Sequence, residues 1–291
     1  RTMTPKRLSI LGVGLLGGSL GLAVKAAAMP CRIVGYGHRR STLDKALASG
    51  AIDEAADTPA DAVKGADLVI LCTPVGLFRK TLADIAPALL NGAIVTDVGS
   101  TKRSVVRDAR DVLPKYARFV GSHPMAGSEK RGVDFARADL FQGARCILTP
   151  DESSDPAALA SVDAFWRALG MRTTVLSPAD HDRLVSDVSH LPHALAATLV
   201  TMQDAAALPL AGKGFLDATR IAGGDGGLWR DIFLDNRDQL AGSLTRFRAT
   251  LDAFIRLLDE GKGEELAQWL DAAASRRAAL LAEKLREMNP D

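Results

Sequence analysis

The sequence predicts an α/β protein in two parts: a doubly wound parallel sheet flanked by helices over residues 1–177, and an all-helical domain over residues 178–291. Three observations lead there. Through the first half, short apolar runs closed by glycine, proline or small polar residues alternate with stretches of helical spacing, the order that builds parallel β-α-β units. A glycine cluster stands where the first run gives way to the first helical stretch. Beyond residue 178 the short runs stop, and the apolar positions keep helical spacing.

The strand-like runs are, in order, "RLSILGVG", "RIVGYG", "ADLVILCTP", "AIVTDVGS", "ARFVGSHP" and "ARCILTP". Between them, "GGSLGLAVKAAA", "STLDKALASG", "LFRKTLADIAPALL" and "KRSVVRDARDVL" each place an apolar face at helical spacing. "ALASVDAFWRALG" followed by "MRTTVLS" extends the same pattern to about residue 177. In the second part Leu240, Leu244, Phe247, Leu251, Phe254 and Leu258 step by four, three, four, three and four. A helix with so long a stripe needs a second surface to bury it.

Composition narrows the class. With 291 residues, 47% of them hydrophobic, the chain can bury a sizeable core. Its 36 basic and 35 acidic side chains leave a net charge of +1, so no bulk field draws nucleic acid or an anionic membrane, and any anion must meet a local cluster. Cys31, Cys72 and Cys146 are widely spaced in apolar runs and read as buried thiols, with neither a disulfide framework nor metal-ligand spacing. The first apolar run breaks at glycines well short of a membrane span, and the expectation is a soluble cytoplasmic protein.

The chemistry starts at Gly12, Gly14 and Gly17, a G-x-G-x-x-G that follows a strand and opens a helix. That is the Rossmann dinucleotide fingerprint: a tight turn, a close approach to pyrophosphate, and close helix-strand packing, with Leu15 and Leu16 inside it. Helix N-terminal amides then meet the phosphates. An NAD-type site carries an acid about 20 residues on, for the adenosine ribose. Here Gly37 stands in that place, followed by His38, Arg39 and Arg40, which can pair with a 2′-phosphate. NADP is therefore the expected cofactor, with NAD possible; the alternative for the basic trio is a solvated turn.

The carboxyl ends of the strands line the ligand crevice of such a sheet. Thr73 and Pro74 are expected beside the nicotinamide, and Ser100 beside the imidazole of His123, unless Ser100 and Thr101 serve only as a helix cap. "GSHPMAGSEKRG", residues 121–132, is dense in glycine and proline and reads as a loop presenting His123. His190 and His193, three residues apart, raise a metal pair, but nothing nearby completes a ligand set, so no metal is expected.

Taken together, "GVGLLGGSLGLA", "DVGSTK", "GSHPMAGSEKRG", "VSHLPHALA" and "LDATRIAGGDGGLWRDIFLDN" resemble the prephenate and arogenate dehydrogenases of tyrosine biosynthesis, from about residue 7 to residue 270. The resemblance implies a Rossmann domain followed by a helical dimerisation domain, and oxidative decarboxylation of a cyclohexadienol with hydride transfer to a nicotinamide. It makes His123 the catalytic histidine on the ring 4-hydroxyl, supported by Ser100. It makes His193 and Arg220 substrate-binding, Arg220 toward a carboxylate, and gives Glu129 and Trp229 lesser places in the pocket. No chorismate mutase segment is expected before residue 7 and no regulatory domain beyond residue 288, so any feedback by tyrosine is expected to act at the active site.

Prephenate is the expected substrate and arogenate the close alternative. An acid facing the side chain would favour arogenate, and Asp182 and Asp187 are the candidates. A β-hydroxyacid dehydrogenase or imine reductase would share the architecture, but the first long helix of the second part lacks the lysine the former would need. An NADP-sensing module would need the fingerprint without His123, Ser100 and Arg220.

Overall fold

The computed structural model describes residues 5–128 and 130–288. Its central sheet has six strands: β1 (Arg7–Leu11), β2 (Arg32–Tyr36), β3 (Glu54–Ala55), β4 (Leu68–Leu71), β5 (Ile94–Asp97) and β6 (Arg118–Phe119). They are all parallel, in the order β3-β2-β1-β4-β5-β6. The helices α1 (Leu15–Ala26), α2 (Arg40–Ala48), α3 (Pro59–Val63), α4 (Phe78–Ile85) and α5 (Arg103–Val112) connect them. Alternate residues of each strand enter different cores, as the two-residue period of a strand requires. Leu8, Ile10, Ile33 and Ile70 join one core, closed by Leu20, Val24 and Trp166. Leu11, Val34, Val69, Leu71 and Val95 join the other, with Phe78, Leu82 and Ile85 of α4. Strand order reverses on either side of β1, so the crevice opens at the carboxyl ends of β1 and β4.

Two expectations change at the end of this sheet. The run "ARFVGSHP" is two strands: β6 completes the parallel sheet, and after Val120 the chain enters β7 (Gly121–Pro124) of a separate sheet. There β7 pairs antiparallel with β8 (Arg145–Thr149), and β8 pairs parallel with β9 (Arg172–Val175), with α6 (Pro156–Ala168) between the last two. His123 is thus a strand residue opposite Ile147, not a loop residue. Glycine and proline at its ends hid a strand that exists through its distant partner. The thiols also differ: Cys146 is buried, whereas Cys31 and Cys72 are half-buried.

From residue 178 the described chain is helical: α7 (Pro178–Val185), a wide π turn over Ser186–His190, α8 (Leu191–Thr201), α9 (Lys213–Thr219), α10 (Gly226–Asp235), α11 (Arg237–Asp259) and α12 (Gly263–Met288). Two compact units divide it, residues 1–237 and 238–291. In the second unit Phe254 of α11 meets Trp269 of α12 edge to face, 6.3 Å between ring centres. Leu244, Phe247, Leu251 and Leu258, four of the six stripe positions, are exposed in the single chain.

Candidate active site

The glycine fingerprint has the geometry its spacing predicts. Gly12 has φ of +107°, and a Cβ there would come within 2.7 Å of the Cys72 carbonyl. At Gly17 it would come within 2.1 Å of the Gly12 oxygen, so helix and strand would have to separate. At Gly14 nothing lies within 4 Å. The chain is therefore tight where it turns and packs and open where it caps α1, a cradle suited to a pyrophosphate at a helix N-terminus. Leu15 and Leu16 form the first residues of that helix and are half-buried.

The cleft above this cradle has a volume of about 840 Å³. Gly14, His38, Arg39 and Pro74 line its nucleotide side; His193, Arg220 and Trp229 line the other. Arg40 does not join them, because it pairs with Asp44 at 2.9 Å and reaches Asp57 at 3.8 Å. Of the expected basic trio, His38 and Arg39 line the cleft. Gly37 has room for a side chain: a Cβ would meet only Leu43, at 3.7 Å. Thr73 follows β4, and its buried Oγ1 has no hydrogen-bond partner in the structure. Such an orphaned oxygen beside the fingerprint suits a polar ligand group.

On the other side of the cleft, His193 stacks on Trp229 with ring centres 3.6 Å apart and planes 15° from parallel. Burial lowers the His193 pKa. Gly224 sits against this pair, where a Cβ would come within 2.6 Å of the indole nitrogen. Trp229 thus braces a histidine of the cleft wall. Arg131 and Asp225 form an ion pair at the same cleft, and Asp225 also caps α10 through the Leu228 N–H. Glu129 lies outside the described residues.

His123 and Ser100 stand apart from the open lining. Ser100 is half-buried just after β5, and His123 is only 8% exposed. The backbone of β7 is clamped from beneath. Asp97 accepts from the Ser122 N–H at 3.0 Å and the Gly99 N–H at 2.8 Å, and pairs with the wholly buried Lys102. Trp166 donates to the Ser122 hydroxyl at 3.1 Å. Burial, with His181 and Lys102 beside it, lowers the His123 pKa well below that of free imidazole. The ring is thus neutral near pH 7, the form a general base requires.

The imidazole partner of His123 is a residue the sequence reading passed over. His123 Nδ1 lies 2.8 Å from His181 Nε2, and His181 Nδ1 lies 2.8 Å from Asp182 Oδ1. Asp182 also accepts the main-chain N–H of Lys102 at 2.7 Å and of Arg103 at 3.0 Å. It caps α5 from 80 residues away, so Ser100 and Thr101 are not its cap. This answers which way Asp182 points: toward α5, as a structural anchor. Asp187 is exposed. Asn236, also unforeseen, donates to the Asp182 carbonyl at 2.8 Å and to His190 Nδ1 at 3.2 Å. His190 therefore carries its proton on the buried Nε2.

Among the described residues no cluster of histidine, cysteine and carboxylate groups could hold a metal ion, and no helix is long and apolar enough to cross a membrane. The sequence matches the family model for the prephenate dehydrogenase nucleotide-binding domain over residues 20–175 and that for the prephenate dehydrogenase dimerization domain over residues 177–272. It is 35% identical to the cyclohexadienyl dehydrogenase of Zymomonas mobilis, covering 94% of this chain and 96% of that protein. Among solved structures it resembles prephenate dehydrogenase from Aquifex aeolicus in complex with hydroxyphenyl propionate and NAD+, with a TM-score of 0.90, 34% identity, and 96% and 100% of the two chains covered. Synechocystis arogenate dehydrogenase follows with a TM-score of 0.81, 32% identity, and 94% and 99% covered. The fingerprint, the cleft above it and the matches along both parts of the chain lead to one conclusion: the chain belongs to the prephenate dehydrogenase family, the NAD(P)-dependent oxidoreductases that act on prephenate.

Proposed function

We propose that this chain oxidatively decarboxylates prephenate to 4-hydroxyphenylpyruvate with NADP, working as a homodimer with its nucleotide part in residues 1–177 and its helical part in residues 178–291. The observation that carries the catalytic reading is the neutral, buried imidazole of His123, set on a strand clamped from below. The open cradle at Gly14 and the orphaned oxygen of Thr73 suit the cofactor, with Gly12 and Gly17 shaping the turn. Gly37, His38 and Arg39 then meet the adenosine ribose, and Pro74 borders the nicotinamide side.

The bound nicotinamide supplies the acceptor for the hydride leaving C4 of the ring as the ring carboxylate departs as carbon dioxide. His123 draws the 4-hydroxyl proton while the C4 carbonyl develops, and Ser100 orients that hydroxyl. Arg220 holds a substrate carboxylate through its forked donors, and His193 on Trp229 forms the opposite wall.

Charge favours prephenate over arogenate. The described cleft lining carries Arg39, Lys130, Arg131 and Arg220 against Asp225, which is already paired with Arg131. A dianionic keto acid suits that field better than a side chain bearing an ammonium. The test is reduced-nicotinamide absorbance with prephenate and arogenate, each offered NAD and NADP. Prephenate with NADP should give the highest kcat/KM, and a higher value with arogenate would overturn the substrate assignment.

A further inference from the structure

The hydrogen-bond chain behind His123 has a direction, and the direction can be worked out from its far end. Asp182 is buried and receives donors on both oxygens: Lys102 N–H and His181 on Oδ1, Arg103 N–H and Arg103 Nε on Oδ2. Burial alone would raise its pKa, but His181 and these main-chain N–H groups outweigh burial and hold it below the usual carboxylate value. Asp182 is thus a carboxylate, an acceptor only, and His181 Nδ1 must carry the proton between them. His181 is itself neutral near pH 7, because burial lowers its pKa despite Asp182. A neutral ring protonated on Nδ1 has its lone pair on Nε2. That lone pair faces His123 Nδ1 at 2.8 Å, so His123 Nδ1 is the donor.

We infer that His181, oriented by Asp182, is a positioning residue that locks His123 in its Nδ1–H tautomer, leaving the Nε2 lone pair to act as the base. The inference rests on the reading of His123 as the base. A free imidazole divides its proton between two nitrogens, and only one of the two forms presents a base at Nε2. Lys102 ties the arrangement together. Its main-chain N–H fixes Asp182 on one side of His123, and its ammonium fixes Asp97, which holds the neighbouring Ser122 N–H on the other. When His123 Nε2 takes up the substrate proton, the new charge lies two hydrogen bonds from a carboxylate already committed to its negative form.

The first test is spectroscopic and needs no substitution in the lock. Long-range proton–nitrogen correlation on histidine-labelled protein, with His123 assigned from the signal lost in His123→Asn, should show His123 protonated on Nδ1 and bare on Nε2 at pH 7. A proton on Nε2 would overturn the inference whether or not His123 is catalytic. The second test separates positioning from folding. His181→Phe should lower kcat by about 10- to 1000-fold while leaving substrate KM and cofactor affinity within twofold, because a misplaced tautomer removes the base and not the pocket. His181→Gln, which restores an acceptor near the lost Nε2, should recover part of that kcat. An unchanged kcat in a folded His181→Phe protein would also overturn it. If instead His123→Asn keeps its kcat while the tautomer is as described, the base assignment has failed and the lock has not.

Discussion

The proposed preference for NADP turns on one guanidinium. Arg39 lines the cleft beside His38 and Gly14, whereas Arg40 is taken up by Asp44 at 2.9 Å and Asp57 at 3.8 Å. One charge-assisted contact to a 2′-phosphate contributes roughly 1.5 to 3 kcal/mol, and Arg39 is exposed, which sets the expectation near the lower end. Arg39→Ser should therefore lower kcat/KM for NADP about tenfold and leave NAD within twofold. Arg40→Ser should change neither, since its charge already has partners. Gly37→Asp should raise the value for NAD, because the new Cβ would meet only Leu43, at 3.7 Å, and the carboxylate can accept from the ribose hydroxyls. The assay is initial rate against cofactor concentration at saturating prephenate, at one fixed ionic strength. Two results would refute the reasoning: a wild-type NADP-to-NAD ratio below one, or an Arg40→Ser loss equal to that of Arg39→Ser.

Four further outcomes are expected. His123→Asn should fold normally and lose kcat by about 10² to 10⁴, the usual worth of a positioned base, and a variant keeping a third of wild-type kcat would end that assignment. Arg220→Ala should act on substrate KM, with a lost contact of roughly 1.5 to 3 kcal/mol and cofactor affinity unchanged; an unaltered KM would take Arg220 out of the pocket. Phe247→Asp with Leu251→Asp should give monomers by sedimentation, since these exposed stripe residues need a covering surface, and a dimeric double variant would place the interface elsewhere. Burial lowers the His190 pKa to about 4, below its unfolded value, so the unfolded chain takes up this proton first. Stability is then full above about pH 6.5 and falls as pH drops toward 4, by about 2 kcal/mol at pH 5 from this ring alone. Urea unfolding of His190→Gln should show a correspondingly smaller loss between pH 7.5 and pH 5, and an equal loss would mean that other groups carry the acid sensitivity.

What could be read in advance was what is local. The roles of Gly12, Gly14 and Gly17 depend on a turn, an open cap and a close contact within six residues and the adjoining strand, so spacing alone was enough to state them. The strand-helix alternation is local in the same sense, because each strand of a parallel sheet is an apolar run that needs no knowledge of its neighbours. Arg40 marks where this stops. Its i,i+4 partner Asp44 was visible in the sequence, and weighing that pair would have set Arg40 apart from His38 and Arg39.

The site behind His123 was illegible for a different reason: its links join residues that are either far apart in sequence or at a spacing where side chains do not ordinarily meet. The strand that carries His123 exists by pairing with Arg145–Thr149, and its imidazole partner lies 58 residues away. Asp182 and His181 are adjacent on one helix, a spacing at which side chains do not face each other, so nothing local suggested that one orients the other. One signal was present. Asp182, Ser186 and His190 recur every four residues and, with His193, place polar groups where α7 and α8 are buried. A helix buries such groups only when each finds a partner elsewhere, so a polar stripe on an otherwise apolar face predicts a hydrogen-bond network before its members are known. Asn236 is the proof within this chain. A buried, uncharged residue between two helices, it joins the Asp182 carbonyl, His190 and Arg103, pairing polar groups of α7, the π turn and α5.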